Sequence, residues 1–94
     1  MYKIFLVEDD RVIANQVEKH LRSWNYEVFI AENFHDIMSD FTKSGADLVI
    51  LDISLPFFDG FYWCRQMRQI SKVPILFLSG ASDKLNIGYE HGGG

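Results

Sequence analysis

A run of large apolar residues, Leu48-Val-Ile-Leu51, stops at a carboxylate, Asp52, and two turn-formers, Pro56 and Gly60, follow it. This stretch constrains the fold more than any other in the chain. A short apolar run bounded by turn signals has the character of a strand buried on both faces, and such strands belong in parallel sheets. Parallel strands are joined by crossovers, usually helices. Open α/β sheets place their chemistry at the C-terminal ends of their strands. Asp52 occupies such an end, so it is the residue to explain.

The rest of the chain supplies the alternation that a parallel sheet needs. Ile4-Phe-Leu-Val7 has aromatic and β-branched character and predicts a first strand. It runs into Glu8-Asp9-Asp10, where Asp10 is placed to cap a helix carrying Ile13, Val17, Leu21 and Trp24 at helical spacing. Asn25 marks a turn before a second strand, Tyr26 to Ile30. Asn33 is the cap candidate for a second helix with Phe34, Ile37, Met38 and Phe41 as its buried stripe, and Ser44-Gly45 ends it. After the third strand, Asp59 or Gly60 opens a helix to Gln69, with Phe61, Cys64 and Met67 at helical spacing. Pro74 precedes a fourth strand, Ile75 to Leu78, and Ser82 or Asp83 is placed to cap a fourth helix. The pattern predicts a three-layer α/β/α architecture with helices on both faces of the sheet.

Ninety-four residues suffice for one small domain. The net charge of −4 and the lack of a basic run argue against nucleic acid or an anionic membrane as a direct partner. No apolar stretch approaches the roughly 20 residues of a membrane helix, and the N-terminus lacks the pattern of a signal peptide. The single cysteine, Cys64, excludes an internal disulfide and a cysteine-rich zinc site, and it fits a reducing, cytoplasmic setting. It reads best as a small core residue. His20, His35 and His91 have no metal-ligand spacing and read as surface residues, while Tyr62 and Trp63 read as partly packed.

Glu8 and Asp9 follow the first strand and Asp52 ends the third. Right-handed crossovers allow these two strands to lie side by side, which brings the acidic groups into one pocket. Like charges so close must be protonated or neutralised. An oxygen-only cluster suits a hard cation, above all Mg²⁺. Beside that cation Asp52 is placed to attack phosphorus and form an acyl phosphate. Ser79 ends the fourth strand on the same edge, where its hydroxyl can donate to a phosphoryl oxygen and turn toward or away from new charge.

These motifs, in this order, resemble the receiver domain of bacterial two-component response regulators. Phe-Leu-Val-Glu8-Asp9-Asp10 resembles the acidic end of the family's first strand. Leu-Val-Ile-Leu-Asp52-Ile-Ser-Leu-Pro56-Phe-Phe-Asp-Gly60 resembles its phosphorylation signature, and Val-Pro74-Ile-Leu-Phe-Leu-Ser79-Gly80 its fourth strand. The resemblance implies a flavodoxin-like (CheY-like) parallel sheet of order 2-1-3-4. It implies that Asp52 is the phosphoacceptor and Ser79 the switch residue. It also implies that Mg²⁺ is held by Asp9, Asp52 and the backbone carbonyl of Ser54, with Glu8 acting through water. The donor would be a sensor histidine kinase or a small acyl phosphate, and the domain a switch rather than an enzyme, assisting at most its own phosphorylation and dephosphorylation. The stretch from Phe58 to Pro74 resembles the OmpR/PhoB class, within it the antimicrobial-peptide- and bacitracin-sensing regulators, whose DNA contacts belong to a C-terminal winged-helix domain absent here.

The chain departs from the family after Ser79. The family's fifth strand ends in a Lys-Pro pair whose lysine contacts the phosphoryl group, and neither Lys72 nor Lys84 is placed to replace it. The expectation is a single receiver domain over 1–94, truncated before strand five, with α4 incomplete and α5 absent. The triple glycine at 92–94 has no packing value. The fourth strand is then expected to be an unpaired apolar edge, a route to a homodimer or strand-swapped oligomer. Two other readings stay open. A haloacid-dehalogenase-type phosphohydrolase also forms an aspartyl phosphate, but it wants Asp-x-Asp where this chain has Ser54. A receiver-fold docking module without phosphorylation is the second.

Overall fold

The computed structural model describes residues 1–78 and the backbone of 87–89. The elements in chain order are β1 (Lys3–Val7), α1 (Arg11–Ser23), β2 (Glu27–Ile30), α2 (Ile37–Ser44), β3 (Leu48–Asp52), α3 (Gly60–Arg68), β4 (Ile75–Leu78) and β5 (Ile87–Tyr89). The sheet order is β2-β1-β3-β4-β5, and the first four strands are parallel. The expected order 2-1-3-4 is therefore present.

Side chains alternate across the sheet, as the strand period requires. Phe5, Val7, Val49, Leu51, Ile75 and Phe77 meet Ile37 and Phe41 of α2 and Trp63, Cys64 and Met67 of α3. Ile4, Leu6, Ile50 and Leu78 point the other way, to Ala14, Val17 and Leu21 of α1. Both faces of β1 and β3 are covered, which is why their sequences read as unbroken apolar runs.

Asp10 caps α1 by accepting from the N–H groups of Val12 and Ile13 at 3.0 and 3.2 Å. The helix closes with Asn25 at φ 68°, whose N–H donates to the Arg22 carbonyl. That left-handed residue suits a helix C-terminus. Trp24 lies at this closure and stays two-thirds exposed, outside the buried stripe expected of it. Asp36, not Asn33, caps α2, by accepting from Ser39 N–H at 3.2 Å. Asn33 instead accepts from His35 N–H at 3.1 Å, so its side chain shapes the preceding turn. Gly45 ends α2 in the left-handed conformation.

The outer edge of β4 corrects one expectation. It is not unpaired: Leu76, Phe77 and Leu78 register with Tyr89, Gly88 and Ile87 of β5, antiparallel. Residues 79–86 are too few for the crossover that a parallel neighbour demands, so the chain returns in the opposite sense. Pairing also supplies partners for backbone groups of a strand that is apolar on both faces. Ser79, and the expected fourth helix with its cap at Ser82 or Asp83, lie outside the described residues.

Candidate functional site

β1 and β3 lie side by side, with Val7 opposite Leu51. Their continuations therefore deliver Glu8, Asp9 and Asp52 to one place. One carboxylate oxygen from each of the three lies within 4.8 Å of the others. Glu8 and Asp52 are buried, and Asp9 is exposed. Asp10, the fourth acid noted in the sequence, turns away to cap α1.

Backbone geometry fixes each group. Glu8 Oε2 accepts from the Asp10 N–H at 3.0 Å. Asp52 faces Leu78 across the β3–β4 ladder, and Ile53 N–H donates to the Leu78 carbonyl at 3.1 Å. After Asp52 the chain folds back tightly. Gly60 N–H donates to the Ile53 carbonyl at 2.8 Å, and a Cβ at Gly60 would stand 2.3 Å from the Asp52 carbonyl oxygen. No side chain fits there, so the glycine is what allows α3 to start against the end of β3. Asp59 then caps α3 by accepting from Tyr62 N–H at 2.9 Å.

The electrostatics are those of acids crowded out of water. Burial raises the Glu8 carboxyl to about 7, and the neighbouring Asp52 and Asp9 charges push the same way against the stabilising Asp10 N–H. Asp52 is also raised, first by burial and then by Asp9, while the backbone N–H of Ser54, the Glu8 carboxyl and the N–H of Ile53 oppose the shift. Glu8 and Asp52 titrate as a pair, so the proton held there belongs to the two carboxyls together. Asp52 Oδ1 is buried without any hydrogen-bond partner. A buried carboxylate oxygen in that condition is costly unless something binds it.

That donor set fits a hard divalent cation. Three acidic oxygens converge, two of them desolvated, one is orphaned, and no nitrogen or sulfur ligand is near enough to join the cluster among the described residues. The Ser54 N–H lies near the Asp52 carboxylate and favours its charged form.

Sequence reasoning left one feature of the site unmarked. Phe57, in the β3–α3 loop, has φ 71° and is 63% exposed. Its ring stacks on His35, with centroids 3.6 Å apart and planes at 28°. The only signal was an aromatic pair, Phe57-Phe58, in a loop between Pro56 and Gly60, where apolar side chains are out of place. Tyr62 is partly buried, as expected, but Trp63 is fully packed in the core.

The response regulator receiver domain profile matches residues 4–90. The Bacillus subtilis (strain 168) protein named "Uncharacterized transcriptional regulatory protein YvcP" is 55% identical over 95 residues, covering 99% of this chain and 40% of that protein. The chain thus spans well under half the length of this curated relative. Among solved structures, the N-terminal domain of the nisin resistance regulator NsrR, a lantibiotic response regulator, superposes with a TM-score of 0.79 at 37% identity, over 92% of this chain and 73% of that one. The response regulator TrrA, solved in complex with the histidine kinase ThkA, gives 0.77 at 29% identity over 89% and 73%. TrrA from Thermotoga maritima with Mg²⁺ and BeF gives 0.79 at 31% identity, over 87% and 72%.

Proposed function

The chain belongs to the response regulator receiver domain family, and from that premise we propose that Asp52 accepts a phosphoryl group from a sensor histidine kinase. The observation that carries this reading is the Asp52 carboxylate itself: buried, raised in pKa, orphaned at Oδ1, and gathered with Glu8 and Asp9 within 4.8 Å. A structural aspartate at a strand end has no use for two further acids. A phosphoacceptor needs a nucleophilic oxygen free of other partners beside a seat for a cation.

In the proposed reaction an Asp52 oxygen forms the O–P bond while the N–P bond of a phosphohistidine breaks. The imidazole leaves neutral, its other nitrogen keeping the ring proton. Asp9, Asp52 and the Ser54 carbonyl would hold Mg²⁺, with Glu8 acting through water. Bound there, the ion would neutralise the converging negative charge of acids and phosphoryl oxygens. Glu8 must release its proton before the pocket reaches full negative charge. The Gly60 turn keeps the Asp52 backbone fixed, so the nucleophile is preorganised rather than recruited. Ser79 is proposed as the hydroxyl that senses the phosphoryl group. A small acyl phosphate would serve as an alternative donor.

We read residues 1–94 as one receiver domain, a signalling switch that turns over no substrate beyond its own phosphoryl group. The output proposed for the longer protein is transcriptional, through a winged-helix domain of the OmpR/PhoB class. The similarity to the NsrR domain supports antimicrobial-peptide sensing as the setting. No helix among the described residues is long and apolar enough to cross a membrane. A cytoplasmic site of action is proposed on the need to meet a kinase's phosphohistidine.

Incubation with Mg²⁺ and acetyl phosphate, followed by intact mass measurement, separates this reading from its rivals. A single phosphoryl adduct, absent without Mg²⁺, is expected. No adduct under any condition would favour the docking module. Catalytic release of phosphate from an ester would favour the hydrolase.

A further inference from the structure

Two non-glycine residues have positive φ among the described residues, Asn25 and Phe57. Asn25 closes a helix, where that conformation is ordinary. Phe57 does not. Phe58 N–H donates to the Pro56 carbonyl at 2.8 Å across it, so Phe57 is the centre of a γ-turn with positive φ, the rarer and more strained form. Glycine would hold this turn without strain. Burial does not compensate, because the residue is 63% exposed. Its one intramolecular engagement among the ring contacts is the stack on His35. Local strain of this kind concentrates at binding and switching sites.

The position of the strain is informative. His35 belongs to the loop after β2 and Phe57 to the loop after β3, and these strands flank β1. The stacked pair therefore joins two loops across the end of the strand that delivers Glu8 and Asp9. This is the sheet edge that any donor to Asp52 must approach.

We propose that Phe57 is a specificity-determining residue for the protein phosphoryl donor, its free face receiving an apolar side chain beside the kinase's phosphohistidine. The proposal rests on the reading of Asp52 as acceptor. Phosphorus must come within bonding reach of a buried oxygen, so a protein donor has to lie over this edge and cover its exposed groups. Phe57 is the most exposed of the loop and helix-start phenylalanines, ahead of Phe61 and Phe58. A large ring with few rotatable bonds, held in place beforehand by a stack, offers contact area at little ordering cost. A small acyl phosphate reaches Asp52 without touching it.

The organism's histidine kinases, each autophosphorylated with ATP, are presented to the chain with Mg²⁺, and the fastest donor is used for comparison. Phe57→Gly is expected to slow transfer from that kinase by at least about tenfold, with acetyl phosphate labelling of Asp52 unchanged. Phe57→Tyr is expected to restore transfer, and His35→Ala to give a smaller loss. Equal transfer to wild type and Phe57→Gly would overturn the proposal. So would a parallel loss with acetyl phosphate, because Phe57 would then act through the loop. Labelling by acetyl phosphate but by no kinase sinks the proposal and leaves the acceptor reading standing. Labelling of wild type by neither donor sinks both.

Discussion

Replacing Glu8 by Gln tests whether the acidic cluster opposes folding when no cation is added. The Glu8 carboxyl moves from an ordinary 4.5 to about 7 in the folded state. A raised carboxyl pKa means that the folded chain binds the proton more tightly than the unfolded chain. Stability is therefore highest below the unfolded value, falls as pH rises from about 4.5 through 7, and levels off above. The shift corresponds to a penalty of roughly 3 kcal/mol at about 1.4 kcal/mol per pH unit. Asp52 shifts in the same direction, but the two acids titrate together, so its contribution is not added. Gln preserves the side-chain oxygen that accepts from Asp10 N–H and adds an amide donor toward Asp52. Urea unfolding in chelator, from pH 5 to 8.5, should show the wild type losing stability across that window while Glu8→Gln stays nearly flat. At pH 8 the variant should be the more stable by about 1–3 kcal/mol. Adding Mg²⁺ at pH 8 should raise the wild type more than the variant. A wild type with no pH dependence in this window, or a variant less stable at pH 8, would refute the reasoning.

Three further outcomes follow from the same geometry. Gly60→Ala drives a Cβ into the Asp52 carbonyl and should cost about 1–3 kcal/mol in urea unfolding; an unchanged midpoint would mean that the loop relaxes freely. Asp9→Asn removes the exposed acid of the cluster and should weaken Mg²⁺ binding in a calorimetric titration while leaving apo stability within about 0.5 kcal/mol of wild type. Asp10→Ala removes the acceptor for two helix N–H groups and should lower stability by about 1 kcal/mol, seen as a lower thermal midpoint.

The sequence exposed the architecture where one physical requirement dominated. Ile4–Val7, Leu48–Leu51 and Ile75–Leu78 are apolar because both faces of their strands are covered, so they are legible without context. Glu8, Asp9 and Asp52 were legible because acids end two of those runs, and the β1–β3 register brings them together. Legibility failed where several partners compete for one role. Asn33 and Asp36 are both good caps, and the turn took the first and the helix the second. Trp24 sits at helical spacing, but the helix closes beside it and turns it outward. β5 is three residues with a central glycine, too short for any period, and is held by the unmet edge of β4. Phe57 adopts a conformation its side chain disfavours, which no propensity argument finds.

The central claim is that Asp52 forms the acyl phosphate. Wild type and Asp52→Asn are treated with Mg²⁺ and acetyl phosphate, reduced with borohydride, digested and sequenced by mass spectrometry. Borohydride converts an aspartyl phosphate to homoserine, which marks the acceptor. Homoserine at position 52 in the wild type, and no modification of Asp52→Asn, is the predicted result. Homoserine at another aspartate, or equal modification of both proteins, would contradict it.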